Sequence, residues 1–117
     1  MSNSLNITLW IVQGICCLIF LYSGGSKVLG AESAVHMFEA IGVGQWYRYL
    51  TGAIELIAAT LLVTPSLPGF AAILLLCVMG GAIIIHTFIL HDSPLVPIIL
   101  IAPLLFILWG RGYHPGF

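Results

Sequence analysis

Three side chains that could take part in acid–base or binding chemistry lie within or beside long apolar stretches of the sequence: Lys27, Glu55 and His86. Glu55 is the most informative, because it stands near the middle of residues 49–63, an otherwise apolar run typical of a membrane span. A carboxylate at that position is strongly disfavoured unless a partner or water supports it. Such residues usually face the interior of a helix bundle and serve structure, binding or proton transfer.

The rise of an α-helix predicts that these groups lie at similar depths. Glu55 follows Trp46 by nine residues, which places it about 13 Å below the start of its span. Lys27 ends the first apolar run on the same side, and its flexible stem can reach along the helix. His86 approaches this side from the third run, while Gln13 enters from the opposite side to about mid-depth. We therefore expect Lys27, Glu55, His86 and Gln13 to form one polar pocket.

The convergence of these residues has two interpretations, which the sequence leaves open. One is a structural polar cluster that fixes how the helices pack, since polar contacts between helices in membranes average only about 0.6 kcal/mol. The other is a binding or proton-handling site. A zinc site needs three or four convergent ligands, and His86 with His91 offers no familiar spacing, so we predict no metal site. Asp92 beside His91 is interpreted as a loop and helix-cap pair.

The composition assigns the chain to a membrane. Of its 117 residues, 61% are hydrophobic and only 6% are charged, whereas about a quarter of the residues of a soluble domain are charged. Lipid must therefore be the solvent, and in a bacterium the cell membrane is the expected location. The net charge of −1 provides no basic face for nucleic acid. Phosphate-binding motifs such as a P-loop are absent from the sequence.

The sequence predicts a single all-α domain over residues 1–117, an integral membrane four-helix bundle with short connections. In lipid each backbone polar group must be satisfied internally, so long apolar runs must be helices. A span needs roughly 20 residues, so the last run is short. The four predicted spans cover about residues 7–26, 46–63, 69–90 and 95–109.

The links between the apolar runs predict the topology. The link at residues 64–68 is so short that the second and third spans must be antiparallel neighbours. Four spans place both termini on the same side of the membrane. The loop over residues 27–45 carries Glu32, His36 and Glu39 among apolar residues. We therefore predict an amphipathic segment between helices 1 and 2, forming a short interfacial helix.

Small residues and helix breakers modify these predicted helices. Gly24 and Gly25 are expected to loosen the end of the first helix, and Pro97 and Pro103 to bend the fourth. Small residues also let helix backbones approach closely. This is expected of Gly52 near Glu55, and of the face formed by Cys77 and Gly81. Arg111 is interpreted as an interfacial anchor of the last span.

Four ordered stretches of the sequence are FLYSGGSK at residues 20–27, AIGVG at 40–44, LTGAIEL at 50–56 and MGGAIIIH at 79–86, followed by Arg111. In these stretches the chain resembles the DoxX-like family of small four-helix membrane proteins. The resemblance covers nearly the whole chain and implies a four-helix membrane fold. Some relatives are linked to membrane-associated oxidoreductase and thiol stress systems, and more distant ones assist receptor assembly or cargo handling. None of the three cysteines forms a C-x-x-C pair, which argues against a self-contained disulfide oxidoreductase.

The leading functional hypothesis is an accessory or binding subunit of a membrane redox or quinone-linked system, with a quinone as the candidate cofactor. One alternative is a membrane enzyme or proton-coupled carrier that uses Glu55 and His86 as proton relays. Another is an assembly factor for membrane proteins that acts through its exposed helices. The residues do not decide whether the chain is an enzyme. The expected partners are the lipid bilayer and membrane or membrane-associated proteins, with a homo-oligomer as a candidate assembly.

Overall fold

The computed structural model describes residues 2–112, and all regular secondary structure within them is helical. The predicted domain also includes Met1 and residues 113–117, which lie outside the described residues. Over the described residues the backbone forms five α-helices, two of which continue as a π-helical turn: α4 over Ile85–Ile89 and α5 over Leu108–Gly112. The helices are α1 (Asn3–Leu29), α2 (Glu32–Ile41), α3 (Trp46–Leu62), α4 (Pro68–Ile84) and α5 (Leu95–Ile107).

The all-helical prediction is confirmed, while the number of helices differs from four. The additional helix is α2, which forms within the loop where the sequence predicts a short amphipathic helix. Gly30 and Gly42 end α1 and α2 with φ angles of 77° and 86°, a left-handed conformation that glycine adopts without steric cost.

The predicted loosening at Gly24 and Gly25 is wrong. α1 continues through both glycines to Leu29. Tight packing of Gly24 against α3 supports the helix there. Pro97 lies in the first turn of α5, where a missing amide hydrogen removes no helical bond. Pro103 alone lies inside that helix.

Within residues 2–112, three helices are long and apolar enough to cross a membrane: Asn3–Leu29, Pro68–Ile89 and Leu95–Gly112. The last run is longer than predicted because its π-helical turn continues to Gly112. α3 has 17 residues, one fewer than α5 together with its π-helical turn, which has 18. The outward face of α1 is apolar, with six large side chains more than half exposed: Ile7, Ile11, Ile15, Leu18, Tyr22 and Leu29.

The core forms where four of the helices meet. α1 packs along α3, α4 packs against both α3 and α5, and α1 also contacts α5. Alanines on facing surfaces of α3 and α4 leave room for larger side chains from their neighbours. The buried core includes Phe20, Ala58, Ala59, Leu62, Ala71, Ala72, Leu75, Leu104 and Ile107.

Candidate functional site

α1 and α3 cross in direct backbone contact at Gly24 and Gly52. A Cβ atom on Gly24 would lie 2.8 Å from the carbonyl oxygen of Gly52, and one on Gly52 would lie 2.9 Å from the carbonyl oxygen of Gly24. These separations are shorter than a van der Waals contact, so only glycine fits at either position without a shift. The crossing brings Lys27, one turn after Gly24, towards Glu55, one turn after Gly52.

Lys27 and Glu55 form an ion pair beside this crossing. Nζ of Lys27 lies 2.7 Å from Oε1 of Glu55, and the exposed fractions of the two side chains are 15% and 1%. Nζ also donates a hydrogen bond of 2.7 Å to Oγ of Ser23. Since Ser23 lies one turn before Lys27, the lysine stem runs back along α1, the direction in which helical side chains lean. The neighbouring turns of two helices thus supply a neutral pair of opposite charges.

The carboxylate of Glu55 retains unused hydrogen-bonding capacity. Its contact with Lys27 has the distance of an ion pair but lacks hydrogen-bond geometry. Neither Oε1 nor Oε2 has a hydrogen-bond partner among residues 2–112. Buried polar atoms in folded proteins are nearly always hydrogen-bonded, so an exception calls for an explanation. Lys27 approaches the carboxylate through Oε1, which leaves Oε2 as an open acceptor.

A cavity of about 540 Å³ adjoins the ion pair and is lined by residues of all five helices. Lys27, Glu55 and His86, three of the four side chains that the sequence assigns to a pocket, lie in its wall. Most of the remaining wall is aliphatic or aromatic, the composition typical of sites that hold small apolar molecules. These residues include Phe20, Met37, Phe38, Ile54, Val78 and Leu100.

His86 lies in the π-helical turn that extends α4 and has its own acidic partner. Its Nδ1 lies 2.5 Å from Oδ1 of Asp92. The backbone amide of Asp92 also donates to the carbonyl oxygen of His86, at 2.9 Å. Asp92 is therefore the partner of His86 rather than of His91. Among the described residues, no hydrogen bond or ion pair joins His86 to Glu55.

Gln13 does not join Lys27, Glu55 and His86. Its Nε2 donates to the carbonyl oxygen of Leu62 at 2.6 Å, and its Oε1 accepts from Nε of Arg111 at 2.7 Å. Gln13 precedes Lys27 by fourteen residues of one helix, which separates the two by about 21 Å. The predicted placement of Gln13 in the shared pocket is therefore wrong: the carbonyl that it binds belongs to Leu62, seven residues after Glu55, and lies about 10 Å farther along α3.

Arg111 belongs to the Gln13 cluster and is only 4% exposed, so it is not the interfacial anchor predicted from sequence. Its Nη1 donates to Oδ1 of Asn6 at 2.8 Å, and its guanidinium carbon lies 5.2 Å from the centroid of the Trp10 ring. These contacts join the end of α5 to the beginning of α1. Gly110 permits this approach, because a Cβ atom there would lie 2.5 Å from a methyl carbon of Leu9.

Arg48 is a second buried arginine that sequence reasoning missed. It is 5% exposed, and its Nε donates to Oε1 of Gln45 at 2.6 Å while its Nη1 donates to the carbonyl oxygen of Lys27. The sequence does contain a sign that Arg48 is buried, since Arg48 precedes Gly52 by four residues and Glu55 by seven. Residues at that spacing share one helix face. Applying the spacing from Glu55 would have placed Arg48 on the buried side.

The small-residue face predicted at Cys77 and Gly81 does not pack against another helix. No atom lies within 4 Å of the position that a Cβ atom would take at Gly80 or at Gly81. Cys77 is exposed. Cys77 and Gly81 instead line the cavity, so the absence of bulk on this face of α4 contributes space to it. Over residues 2–112, no group of three or more histidine, cysteine, aspartate or glutamate side chains could hold a metal ion.

Comparisons with known proteins assign the chain to a family by its sequence. Neither the curated proteins nor the solved structures gave a match to the chain. The sequence pattern of the DoxX-like family matches residues 11–110, a region that includes both members of the ion pair and His86. The chain is therefore a membrane protein that belongs to the DoxX-like family.

Proposed function

We propose that this protein is a multi-pass membrane protein that binds a neutral, lipid-soluble ligand in the cavity beside Lys27 and Glu55. It acts as an accessory or binding subunit of a membrane redox or quinone-linked system, with a quinone as the candidate ligand. The observation that carries the proposal is the ion pair of Lys27 and Glu55 in the wall of an apolar cavity of about 540 Å³. That volume lies within the range of small-molecule sites in proteins.

The proposed topology has four membrane crossings, by α1, α3, α4 and α5, with α2 in the interface. The contact of Arg111 with Asn6 supports it, because it brings the end of α5 to the beginning of α1. α3 has 17 residues, the lower limit of the usual length of a span. In this arrangement both termini lie on one side and α2 on the other.

The ion pair favours a ligand-binding role over a purely structural one for two reasons. A polar cluster that only fixes helix packing has no need of an adjoining cavity. It would also be expected to satisfy its own hydrogen bonds, whereas Glu55 has no hydrogen-bond partner among the described residues. The apolar outer surface of the helices suits lipid. As an accessory subunit the protein would act with a membrane or membrane-associated protein, and a homo-oligomer is the alternative assembly.

A second candidate function is proton transfer, as a membrane enzyme or a proton-coupled carrier. The observation that favours it is that Glu55 and His86 line the same cavity while Asp92 pairs with the imidazole of His86. A carboxylate next to a histidine can orient the ring and stabilise its charged form. This candidate predicts that His86→Gln abolishes function and leaves ligand occupancy intact, whereas a binding role at the ion pair predicts loss of occupancy from changes at Glu55.

The experiment that tests the proposed function is to identify what copurifies with the protein. Extracts of the wild-type protein purified from its native membrane are compared by mass spectrometry with those of Gly81→Leu, which fills the cavity. Gly80→Leu is the matched control, because Gly80 also has free space around it but does not line the cavity. We expect one apolar small molecule to be retained by the wild type and the control and lost from Gly81→Leu. Identical extracts from all three would contradict the proposal.

A further inference from the structure

The chemical class of the cavity ligand follows from which hydrogen-bonding groups of the ion pair remain unused. This step rests on the proposed function, since it assumes that the cavity binds a small molecule. Glu55 offers Oε2, an acceptor with no hydrogen-bond partner among residues 2–112, on a side chain that is 1% exposed. Lys27 has three N–H donors, and its described contacts are with Ser23 and Glu55.

We propose that the cavity selects a neutral apolar molecule that carries a hydroxyl group, whose O–H donates to Oε2 of Glu55. A hydroxyl group is both a donor and an acceptor. It therefore supplies the donor that Glu55 lacks, and its oxygen can accept the remaining N–H of Lys27. Of the common oxygen groups, an ether or a ketone can only accept, so it leaves Oε2 without a partner.

The charge of the ion pair restricts the ligand further. Lys27 and Glu55 cancel each other, so the polar end of the cavity attracts neither a cation nor an anion by net charge. A charged group on the ligand would meet one like charge and one opposite charge of the pair, so attraction and repulsion largely cancel. It would still lose its hydration on entering an apolar cavity, at a much larger cost than a neutral hydroxyl group. The apolar wall then requires that the rest of the ligand be a hydrocarbon chain or ring.

This selectivity has a direct consequence for a ligand with an oxidised and a reduced form. A quinone carries carbonyl oxygens, which only accept hydrogen bonds, whereas its reduced form carries hydroxyl groups. The open acceptor on Glu55 therefore favours the reduced member of such a couple. The cavity would hold the product of a reduction more tightly than its substrate.

The test uses three probes that share one nonyl chain and differ only in the polar group: 4-nonylphenol, 4-nonylanisole and 4-nonylbenzoic acid. Binding is measured as the ligand-dependent rise in the unfolding temperature of the purified full-length protein in detergent. A hydrogen bond to a charged group predicts that the phenol binds about ten-fold more tightly than the anisole. The benzoate is expected to bind most weakly.

Three variants, one of them a control, connect the preference to the residues proposed. Glu55→Leu combined with Lys27→Met removes the acceptor and the charge together, and is expected to bring the affinities for phenol and anisole to within about two-fold of each other. Gly81→Leu is expected to abolish binding of both probes, and Gly80→Leu to leave it unchanged. The unfolding temperature without ligand verifies that each variant is folded.

Each contrary outcome has a separate meaning. Equal affinity for phenol and anisole in the wild type, lost in Gly81→Leu, would overturn the hydroxyl selectivity and leave the proposed binding function standing. A preference that persists in the double variant would also overturn the selectivity. Binding of both probes that is unaffected by Gly81→Leu would overturn the proposed function itself. The comparison of probes on the wild-type protein decides the first point even if a variant does not fold.

Discussion

Arg48 donates a hydrogen bond from Nη1 to the backbone carbonyl oxygen of Lys27, the same residue whose ammonium pairs with Glu55. Arg48 and Glu55 stand seven residues apart on α3, about two turns. α3 therefore contacts Lys27 at two levels: Arg48 binds the carbonyl of Lys27, and Glu55 pairs with the side chain of Lys27. The carbonyl of Lys27 lies near the end of α1, where the backbone acceptors lack helical partners. Arg48 satisfies one of them.

We expect Arg48→Leu to lower the free energy of unfolding by about 1–3 kcal/mol, because it leaves the carbonyl of Lys27 and Oε1 of Gln45 without a donor. Reversible unfolding of the purified protein in mixed micelles measures the change. Arg48→Lys is the matched control, since it keeps the charge and loses the planar pair of donors. The stability of Arg48→Lys should fall between that of the wild type and that of Arg48→Leu. A lysine variant as stable as the wild type would show that only the charge matters.

Removing one charge of the Lys27–Glu55 pair should lower the free energy of unfolding far more than removing both charges. Glu55→Gln or Lys27→Met alone leaves an uncompensated buried group, and we expect each to lower the free energy of unfolding by about 3–5 kcal/mol. The combined variant should recover most of that loss. The same unfolding assay measures all three, with ligand occupancy determined in parallel. If the pair is purely structural, occupancy recovers with folding in the double variant; if the pair binds the ligand, folding recovers while occupancy stays below that of the wild type.

The crossing of α1 and α3 should not tolerate a methyl group. A Cβ atom on Gly52 would lie 2.9 Å from both the carbonyl oxygen of Gly24 and Cβ of Lys27. Overpacking of this kind costs about 1–3 kcal/mol. We expect Gly52→Ala to destabilise by that amount and to reduce ligand occupancy, because it moves Lys27 away from Glu55. Gly80→Ala is the control, since its methyl group meets open space, and equal stability of the two alanine variants would refute the close crossing.

The four-crossing topology predicts that the two ends of the chain lie on the same side of the membrane. Reporter fusions after Ser2 and after Phe117 should therefore give the same compartment signal. A third fusion within α2, at Glu39, should report the opposite side, because α2 lies between the first and second proposed crossings. Signals from opposite compartments at the two ends would reject an even number of crossings.

Hydrophobic pattern predicts the helices here because lipid leaves the backbone no other way to satisfy its hydrogen bonds. The contact between Lys27 and Glu55 also follows from simple depth, since both residues lie near the same end of adjacent helices. Helical rise gives the depth of a side chain only relative to the residue at which its span is assumed to begin. That limit explains the error at Gln13, which is buried as expected but binds the carbonyl of Leu62 and the guanidinium of Arg111. Leu62 lies seven residues after Glu55, or about 10 Å from its level.

Arg111 illustrates a second limit. A charged residue after Trp109 at the end of an apolar run is most simply an interfacial anchor. In the structure α5 continues as a π-helical turn over Leu108–Gly112, and Arg111 is buried against Asn6 and Gln13. A π-helical turn changes the angle between successive residues, and the spacing of apolar residues in the sequence does not predict where such a turn occurs. The direction of residues that follow such a turn therefore cannot be predicted from the spacing before it.

The cancellation of charge at Lys27 and Glu55 also determines how the cavity responds to a membrane voltage. Work done by a transmembrane potential is proportional to the net charge that moves through it. When a neutral molecule joins a neutral pair, no net charge is displaced, so the occupancy of the cavity does not depend on whether the membrane is energised. Respiration would then act on the proposed site only indirectly, through the amount and the redox state of the ligand in the lipid.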